Sequence, residues 1–412
     1  QELLQAADRG VKVRLLLDDL DAREKNDAIA ALAAHPRVEV RLFNPFSSRS
    51  GALSKLYEAL TSFRRINRRM HNKSWIADNR IAIAGGRNIG DEYFGASEDV
   101  NFVDLDFAMF GPVVRDATAS FERYWNSDCA CPIEKLDADA VNADALAKLR
   151  GFLAEHAASA QGGRYAAALR ADEGIRRMLT GDWPVHWSAN YRFVADDPAK
   201  VRLKRHDPRA AQVAVAMLSM ARSAREKLSV ISPYFVPGRQ VAAALRNMAA
   251  AGCKVGVLTN SLVANDVAVV HGGYSRYRRR LVRGGVLLWE LKPLNAHKAG
   301  ASMFGSSGSS LHTKAIAVDS RTLFVGSYNL DPRSTWLNCE QGVLVDNESL
   351  ARQLEQIFAL QTSAARAWRV TMNGVKLHWS DGQEEFDSDP KAPVSRRFQA
   401  WLARVLHLDA QL

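Results

Sequence analysis

Apolar and polar residues alternate in short runs, separated by longer stretches with helical spacing. The alternation predicts strands over residues 11–17 and 38–43, with a helix between them. It predicts strands again over residues 227–232 and 286–291, with a helix over residues 240–251. This strand–helix–strand order is typical of an α/β chain with a largely parallel sheet and helices on its faces.

The second half of the chain repeats the first at a nearly constant offset. The run at residues 10–13 recurs at residues 252–255, 242 positions later. A repeat of this length predicts two similar domains rather than a solenoid. A chain of 412 residues is also too long for one ordinary core. We therefore predict a first domain over residues 1–128, a helical connecting segment over 129–205 and a second domain over 206–412, which ends in a hairpin and a helix.

One predicted strand lacks a counterpart in this repeat. The strand over residues 227–232 precedes the repeated run in the second half, whereas the first half starts inside a helix close to that run. We therefore expect the first domain to lack its first strand in this chain.

An eight-residue pattern, His-x-Lys-x4-Asp, occurs once in each half, and an asparagine lies 17 positions after each histidine. The two sets are His71, Lys73, Asp78 and Asn88, and His312, Lys314, Asp319 and Asn329. Because side chains alternate along a strand, the histidine and lysine of each copy lie on one face. The aspartates fall at predicted hairpin turns on the opposite face, so we interpret them as structural residues.

The residue types in these two sets suit a phosphate. Lysine ammonium groups and asparagine amides donate hydrogen bonds to phosphate oxygens. One imidazole can attack phosphorus while the other protonates the leaving oxygen, which divides one displacement into two steps. The lysines lower the pKa of both histidines, whereas a carboxylate behind a ring raises it and orients the ring. Candidates for that carboxylate are Asp104, 33 residues after His71, and Glu340, 28 residues after His312.

The doubled pattern with its downstream asparagines resembles the signature of the phospholipase D superfamily, and the resemblance covers nearly the whole chain. Four further segments are similar to bacterial cardiolipin synthases, most of all to their C type. They are residues 67–73, 124–127, 194–200 and 329–334. The resemblance implies two similar phospholipase D-like α/β sandwich domains with pseudo-two-fold symmetry and an active site at their interface.

The same resemblance implies a metal-independent phosphatidyl transfer that makes cardiolipin from two phospholipids through a phosphohistidine. It implies His71 as the nucleophile, His312 as the acid and base, and Asp104 and Glu340 as the orienting carboxylates. The expected substrates are phosphatidylglycerol and phosphatidylethanolamine, on the anionic surface of the inner membrane, with the enzyme cytoplasmic and peripheral. We expect no cofactor, no metal and no nucleic acid.

Composition narrows the choice of partner without fixing it. The 55 lysines and arginines exceed the 45 acidic residues, and the net charge of +10 indicates an anionic partner. A nuclease or another phosphodiesterase would use the same phosphate chemistry, so this alternative stays open. A non-catalytic module that binds lipid or nucleic acid is a third possibility, against which the two complete motif sets argue. No group of histidines, cysteines and carboxylates has the spacing of metal ligands.

Two stretches could contact a membrane surface. Residues 394–408 form an amphipathic helix, which would ordinarily pack its apolar stripe on the core and alternatively lie on anionic lipid. Residues 276–283 are basic with apolar positions between the charges, which suits either lipid phosphates or a solvated helix face.

Overall fold

The computed structural model describes residues 1–19, 26–46, 65, 67–94, 97, 101–265, 267–293 and 310–406. The chain forms two compact units, each made of several segments. The first unit comprises Gln1–His71, Ala119–Val185 and Asp197–Leu203, and the second comprises Asn72–Thr118, His186–Asp196 and Lys204–Leu412.

The first unit is built around a three-stranded sheet. Its strands are β1 (Val13–Asp18), β2 (Val38–Phe43) and β7 (Ala130–Pro132). Strand β1 runs parallel to β2, and β7 runs antiparallel on the other side of β2. Its described helices are α1 (Glu2–Asp8), α2 (Asn26–Ala33), the last turns of α3 (Pro112–Trp125), α4 (Ala143–Ala158), α5 (Ala160–Ala171) and α6 (Glu173–Leu179). The core joins β2 to α2 through Val40, Leu42 and Ala30.

The described residues of the second unit contain three groups of strands. The first group is a sheet of β3 (Ser74–Ala77), β4 (Ile81–Gly85) and β6 (Asp106–Phe110), and the second is the pair β5 (Phe102–Val103) and β12 (Ser310–Leu311). The third is a ten-stranded sheet in the order β18-β17-β16-β11-β10-β9-β13-β14-β15-β8.

The strands of the large sheet have the following bounds. They are β8 (Tyr191–Ala195), β9 (Lys227–Ile231), β10 (Lys254–Asn260), β11 (Leu287–Leu291), β13 (Ala315–Val318), β14 (Thr322–Gly326), β15 (Gln341–Asp346), β16 (Ala367–Asn373), β17 (Lys376–Ser380) and β18 (Glu385–Phe386). Besides the first turns of α3, the described helices of this unit are α7 (Gln212–Arg222), α8 (Gly238–Ala250), α9 (Ala268–Arg283), α10 (Pro332–Trp336), α11 (Glu348–Gln361) and α12 (Val394–Val405).

Strand β9 is the central connection of the large sheet. It pairs in parallel with β10 on one side and antiparallel with β13, the strand that follows the second His-x-Lys, on the other. The side chains of β9, β10 and β13 are buried because helices cover the sheet. Val230, Val257 and Ile316, one from each of these strands, belong to one core. In the sequence repeat, β1 corresponds to β10, and β3 corresponds to β13. In the first half these two strands belong to different three-stranded sheets.

Both motif aspartates lie at the tips of hairpins. Asp78 and Asn79 turn β3 into β4, with φ values of 51° and 54°, and Asp319 and Ser320 turn β13 into β14, with φ values of 48° and 53°. Two consecutive left-handed residues are typical of a type I′ turn. The carboxylate of Asp319 also accepts the N–H groups of Arg225, Glu226 and Lys227, at 2.8–2.9 Å. Although partial burial acts against them, these bonds lower the pKa of Asp319.

The extended stretch over residues 102–110 is interrupted. Strand β5 ends at Val103, and β6 begins at Asp106. Between them the Asp104 side chain accepts the N–H of Leu105 at 2.9 Å, and β5 pairs with β12 instead of β4. The interruption moves Asp104 from the small sheet toward the second motif.

Helix α12 confirms the amphipathic pattern but reverses the face that we expected to be buried. Ala400 and Ala403 are its buried residues, whereas Phe398 and Trp401 are 58% and 50% exposed. The predicted end of this helix, at residues 407 and 408, lies outside the described residues. None of the described helices is both long enough and apolar enough to cross a bilayer.

Candidate active site

The second motif is held beside the end of β5. The carbonyl oxygen of Val103 accepts hydrogen bonds from the N–H groups of His312 and Thr313, at 2.9 and 3.0 Å, and from the Thr313 hydroxyl at 3.0 Å. These bonds extend the parallel pairing of Ser310–Leu311 with Phe102–Val103 by two residues. His312 therefore lies next to Asp104, which follows Val103.

Asp104 forms the principal contact of the His312 ring. Its Oδ2 lies 2.6 Å from Nδ1 of His312, and the Asp104 side chain is fully buried. Burial acts to raise the pKa of Asp104, but Lys314 and His312 outweigh it, so the pKa is lowered and the group is a carboxylate. An ionised carboxylate only accepts, so Nδ1 carries the proton and Nε2 keeps its lone pair. Asp104 was a candidate counted from His71, but the histidine that it contacts is His312, in the other half of the sequence.

The charge state of His312 follows from its surroundings. Burial lowers its pKa, Lys314 lowers it further, and Lys73 adds to the effect, so that the pKa falls from 6.5 to about 3 despite Asp104. His312 is therefore uncharged at neutral pH. Lys73 belongs to the first motif. The lysines of both motifs therefore lower the pKa of the same imidazole.

Two aromatic rings enclose His312. The ring centroid of Tyr93 lies 5.0 Å from that of His312 in an edge-on arrangement, and that of Phe102 lies 5.4 Å away. Asn88 donates a hydrogen bond from Nδ2 to the Tyr93 hydroxyl at 2.8 Å. We predicted that Asn88 binds phosphate. In the structure its side chain binds Tyr93, and the Tyr93 ring in turn contacts His312.

Lys314 and Asn329 are both buried. The Lys314 side chain is 1% exposed and its ammonium donates to the carbonyl oxygen of His312. Asn329 is 5% exposed, and its Oδ1 has no hydrogen-bond partner among the described residues. A buried polar atom without a protein partner is uncommon and needs an explanation, which a bound group would supply. Lys73 is fixed from its backbone, where its carbonyl oxygen accepts from Gln341 Nε2 at 2.7 Å.

Glu340 lies in a buried network at the start of β15. It accepts hydrogen bonds from the hydroxyls of Ser327, at 2.5 Å, and Ser334, at 2.7 Å. Asp196 pairs with its backbone, accepting the Glu340 N–H at 3.0 Å and donating its own N–H to the Glu340 carbonyl at 2.9 Å. From the sequence, Asp196 was noted only as a member of residues 194–200, one of the segments that resemble the family. That Glu340 orients a histidine remains a prediction.

The residue before each motif histidine is held by the last residue of a strand. In the first unit, Met70 N–H donates to Asp18 Oδ2 at 2.7 Å, and Asp18 ends β1. In the second unit, Asn260 ends β10 and forms two 3.0 Å hydrogen bonds with the backbone of Leu311. Asp18 and Asn260 are 242 positions apart, the offset of the repeat. We missed this pair, although extending the offset from residues 10–13 to the end of the strand would have found it.

One group of described residues brings three potential metal ligands within 4.8 Å of one another: His271, Glu290 and Asp389. The guanidinium of Arg278 fills this place, donating to Glu290 at 3.0 Å and to Asp389 at 2.6 Å. Burial opposes its charge, but the two carboxylates keep the pKa of Arg278 above its usual value. We interpret the group as a buried ion-pair network that joins α9 to the segment before α12.

Comparisons with known proteins agree on one family. The family model described as "Cardiolipin synthase, PLD-like domain" matches residues 1–125 and 217–361. Cardiolipin synthase C of Escherichia coli K12 is 39% identical over 417 aligned residues, which cover 99% of this chain and 86% of that protein. An uncharacterised protein of Helicobacter pylori J99 is 35% identical and covers 93% of this chain and 74% of its own.

A solved structure shares the fold. The phosphatidylserine synthase of Haemophilus influenzae Rd KW20 aligns with a TM-score of 0.53 over 98% of this chain and 89% of its own, at 14% identity. At that identity the likeness concerns the fold alone.

Proposed function

Because the chain belongs to the cardiolipin synthase branch of the phospholipase D superfamily, we propose that it is a phosphatidyltransferase that makes cardiolipin from two phospholipids. The observation that carries this proposal is the His312 site. A neutral imidazole, with Nδ1 held by Asp104, lies near the lysines of both motifs. This arrangement suits attack on a phosphodiester through a phosphohistidine.

In the proposed first step, Nε2 of His312 forms a bond to the phosphorus of the donor phospholipid. The bond from phosphorus to the head-group oxygen breaks, and His71 gives that oxygen a proton. In the second step, a hydroxyl of the acceptor phospholipid gives its proton to His71 and bonds to phosphorus. The phosphorus–nitrogen bond then breaks, which restores neutral His312.

This order exchanges the histidine roles implied by the family resemblance. The acid of the first step must start with a proton, and a pKa of about 3 leaves His312 without one at neutral pH. A nucleophile needs a free lone pair, which Asp104 provides by binding the proton on the opposite nitrogen. We therefore assign the attack to His312 and the proton transfers to His71.

The charged and amide groups of the motifs take the remaining roles. Lys73 and Lys314 stabilise the negative charge that grows on the phosphate oxygens during each displacement. We propose that Asn329 donates its amide N–H groups to the same oxygens. Asn88 acts indirectly. Its hydrogen bond to the Tyr93 hydroxyl keeps the Tyr93 ring against His312.

The chemistry of the product selects the acceptor. Cardiolipin carries two phosphatidyl groups on one glycerol, so the acceptor must offer a free glycerol hydroxyl, as phosphatidylglycerol does. The donor is phosphatidylglycerol or phosphatidylethanolamine, with glycerol or ethanolamine as the leaving group. We propose that the enzyme works as a peripheral protein on the cytoplasmic face of an anionic membrane, which the net charge of +10 supports.

The decisive experiment uses purified protein with vesicles of phosphatidylglycerol alone and mixed with phosphatidylethanolamine. Lipids are then resolved by mass spectrometry. We expect cardiolipin from the unaltered protein and His378→Ala, and none from His312→Ala or His71→Ala. His378 is a matched control, because its Nδ1 also lies 3.0 Å from a carboxylate, that of Asp387, whose side chain is 70% exposed. No lipid change together with cleavage of DNA would overturn the proposal in favour of a nuclease.

The histidine roles have their own test. An acid-labile phosphatidyl adduct, trapped at short reaction times and mapped by peptide mass spectrometry, is expected on His312. An adduct on His71 would overturn the role assignment and leave the reaction class intact.

A further inference from the structure

Helix α12 packs on α9 through its smallest residues. Ala400 and Ala403 are its buried positions, and Gly272 of α9 faces them. A Cβ atom at Gly272 would lie 2.6 Å from the Ala400 carbonyl oxygen and 2.8 Å from the Ala403 Cβ. The absence of a side chain at Gly272 lets the two helices come this close.

The opposite side of α12 exposes its large apolar residues. We call this set the α12 ridge, and its members, with their exposed fractions, are Val394 (81%), Phe398 (58%), Trp401 (50%), Leu402 (39%) and Val405 (47%). At about 100° per residue they fall within an arc of about 100°, centred opposite the two buried alanines. The rings of Phe398 and Trp401 stack with centroids 5.8 Å apart. Amphipathic helices usually bury such a stripe, so its exposure calls for an external partner.

Polar contacts fix this orientation. Arg396 donates to the carbonyl oxygens of Asn265 at 2.7 Å and Leu262 at 3.1 Å. Arg397 donates to the carbonyl oxygen of Asp389 at 2.9 Å, and Asp389 in turn binds the buried Arg278. Turning the ridge inward would break these bonds, so the ridge is a fixed feature of the surface.

The charges beside the ridge identify its partner. Arg397 and Arg404 are exposed along one side of it, and α12 contains no acidic residue. Aromatic and aliphatic side chains flanked by arginines are typical of helices that lie in the headgroup region of an anionic bilayer. A protein partner would need acidic groups around an apolar groove, whereas anionic phospholipid supplies both chemistries on one surface.

We propose that the α12 ridge inserts into the surface of an anionic phospholipid bilayer and docks the protein there. The choice of lipid rests on the proposed function, since an enzyme that takes both substrates from a bilayer must contact it. The arginines would bind lipid phosphates while Phe398 and Trp401 enter the acyl boundary.

The test compares the full chain and three variants in sedimentation with phosphatidylglycerol or phosphatidylcholine vesicles. We expect Phe398→Glu/Trp401→Glu to weaken binding to phosphatidylglycerol vesicles by more than about tenfold. Arg397→Gln/Arg404→Gln should weaken it by about fivefold for each arginine. The matched control is Leu360→Glu/Val375→Glu, which adds the same charge at residues that are 55% and 69% exposed elsewhere, and it should bind within about twofold of the unaltered protein. Circular dichroism and thermal midpoints verify that each variant is folded.

Three outcomes would overturn the proposal. The first is equal binding by the ridge variant and the control variant, and the second is no binding by the unaltered protein. The third is a dimer that Phe398→Glu/Trp401→Glu converts to a monomer without any change in vesicle binding, which would assign the ridge to a second copy of the chain.

Activity in detergent micelles separates this proposal from the proposed function. Dispersed lipids need no docking, so the ridge variant should make cardiolipin in micelles and little on vesicles. His312→Ala should bind vesicles normally and make none in either. If the unaltered protein makes no cardiolipin in micelles but its ridge-dependent vesicle binding persists, the proposed function fails and the docking surface stands.

Discussion

Asp104, from the first half of the sequence, lies 2.6 Å from Nδ1 of His312, from the second half. This contact fixes the tautomer of the imidazole and leaves the lone pair on Nε2, the atom to which we assign the attack. Because both groups are almost completely buried, solvent cannot replace either of them.

Replacing Asp104 by asparagine should remove most of the activity while the protein still folds. The amide keeps the shape of the carboxylate, but it can donate to Nδ1 and favour the wrong tautomer. We expect kcat to fall about 10³–10⁴-fold, as for other carboxylate–imidazole pairs. Steady-state cardiolipin synthesis in micelles measures this effect. Asp128→Asn, at a side chain that is 92% exposed, should leave kcat unchanged; an equal loss in both would refute a specific role for Asp104.

Replacing Lys314 by glutamine should raise the pKa of His312. Burial is the larger cause of the low pKa and persists in the variant, so the rise is partial. Imidazole NMR titration of both proteins measures it. An unchanged pKa would mean that the Lys314 charge does not reach the ring.

The low pKa of His312 also predicts an acid-sensitive fold. The folded protein binds this proton only near pH 3, whereas an unfolded histidine binds it near pH 6.5. Between these values the unfolded state holds more protons, so the contribution of His312 to stability falls as pH drops through this window. Denaturant midpoints should decline less steeply between pH 6.5 and 4 for His312→Gln. Identical slopes would contradict the prediction.

Replacing Asn260 by alanine should destabilise the second unit and displace the motif. The substitution leaves the N–H and carbonyl of Leu311 without their side-chain partner, at a cost of about 1–3 kcal/mol in the free energy of unfolding. Activity should fall with it, because Leu311 precedes His312. Asn126→Ala, at an exposed turn position just after α3, serves as the control and should cost little.

Replacing Gly272 by valine should separate α12 from α9. The Cβ would meet the backbone at Ala400, which cannot move without moving the helix. We expect a loss of about 1–3 kcal/mol in the free energy of unfolding. Gly151→Ala is the matched control. Its Cβ meets nothing within 4 Å in the middle of α4, so alanine should stabilise the protein by about 0.5–1 kcal/mol. A neutral Gly272→Val would refute the close packing.

Local patterns were sufficient to predict the α/β fold, which is confirmed. Strand β2 has the predicted bounds, residues 38–43. Helix α8 was predicted over residues 240–251 and spans Gly238–Ala250. The agreement is close because the spacing of apolar residues reflects which side of an element is buried. The division into two units, in contrast, follows contacts between distant segments, and residues 72–118 join the second unit. Periodicity within one half contains no information about such contacts.

The candidate site was predictable in its residue types and less so in its pairings. The repeat made His312 and Lys314 candidates, and Asp104 was a candidate carboxylate that the family resemblance also implies; their roles stay predictions. The partner of Asp104 depends on the interrupted strand between Val103 and Asp106, which no local pattern announced. The apolar stripe of α12 was recognised, but its pattern could not decide between packing on the core and exposure, because the docked face is set by Gly272 on another helix.

The interruption at Asp104 has an evolutionary consequence. A gene fragment that encodes residues from 204 onward would retain His312, Lys314 and Asn329, yet its imidazole would have no carboxylate on Nδ1. Recombination that exchanges one half with a diverged relative would have to preserve the fit between Asp104 and the strand at Ser310–Leu311. Selection therefore acts on both halves together, and neither half can accumulate substitutions independently of the other.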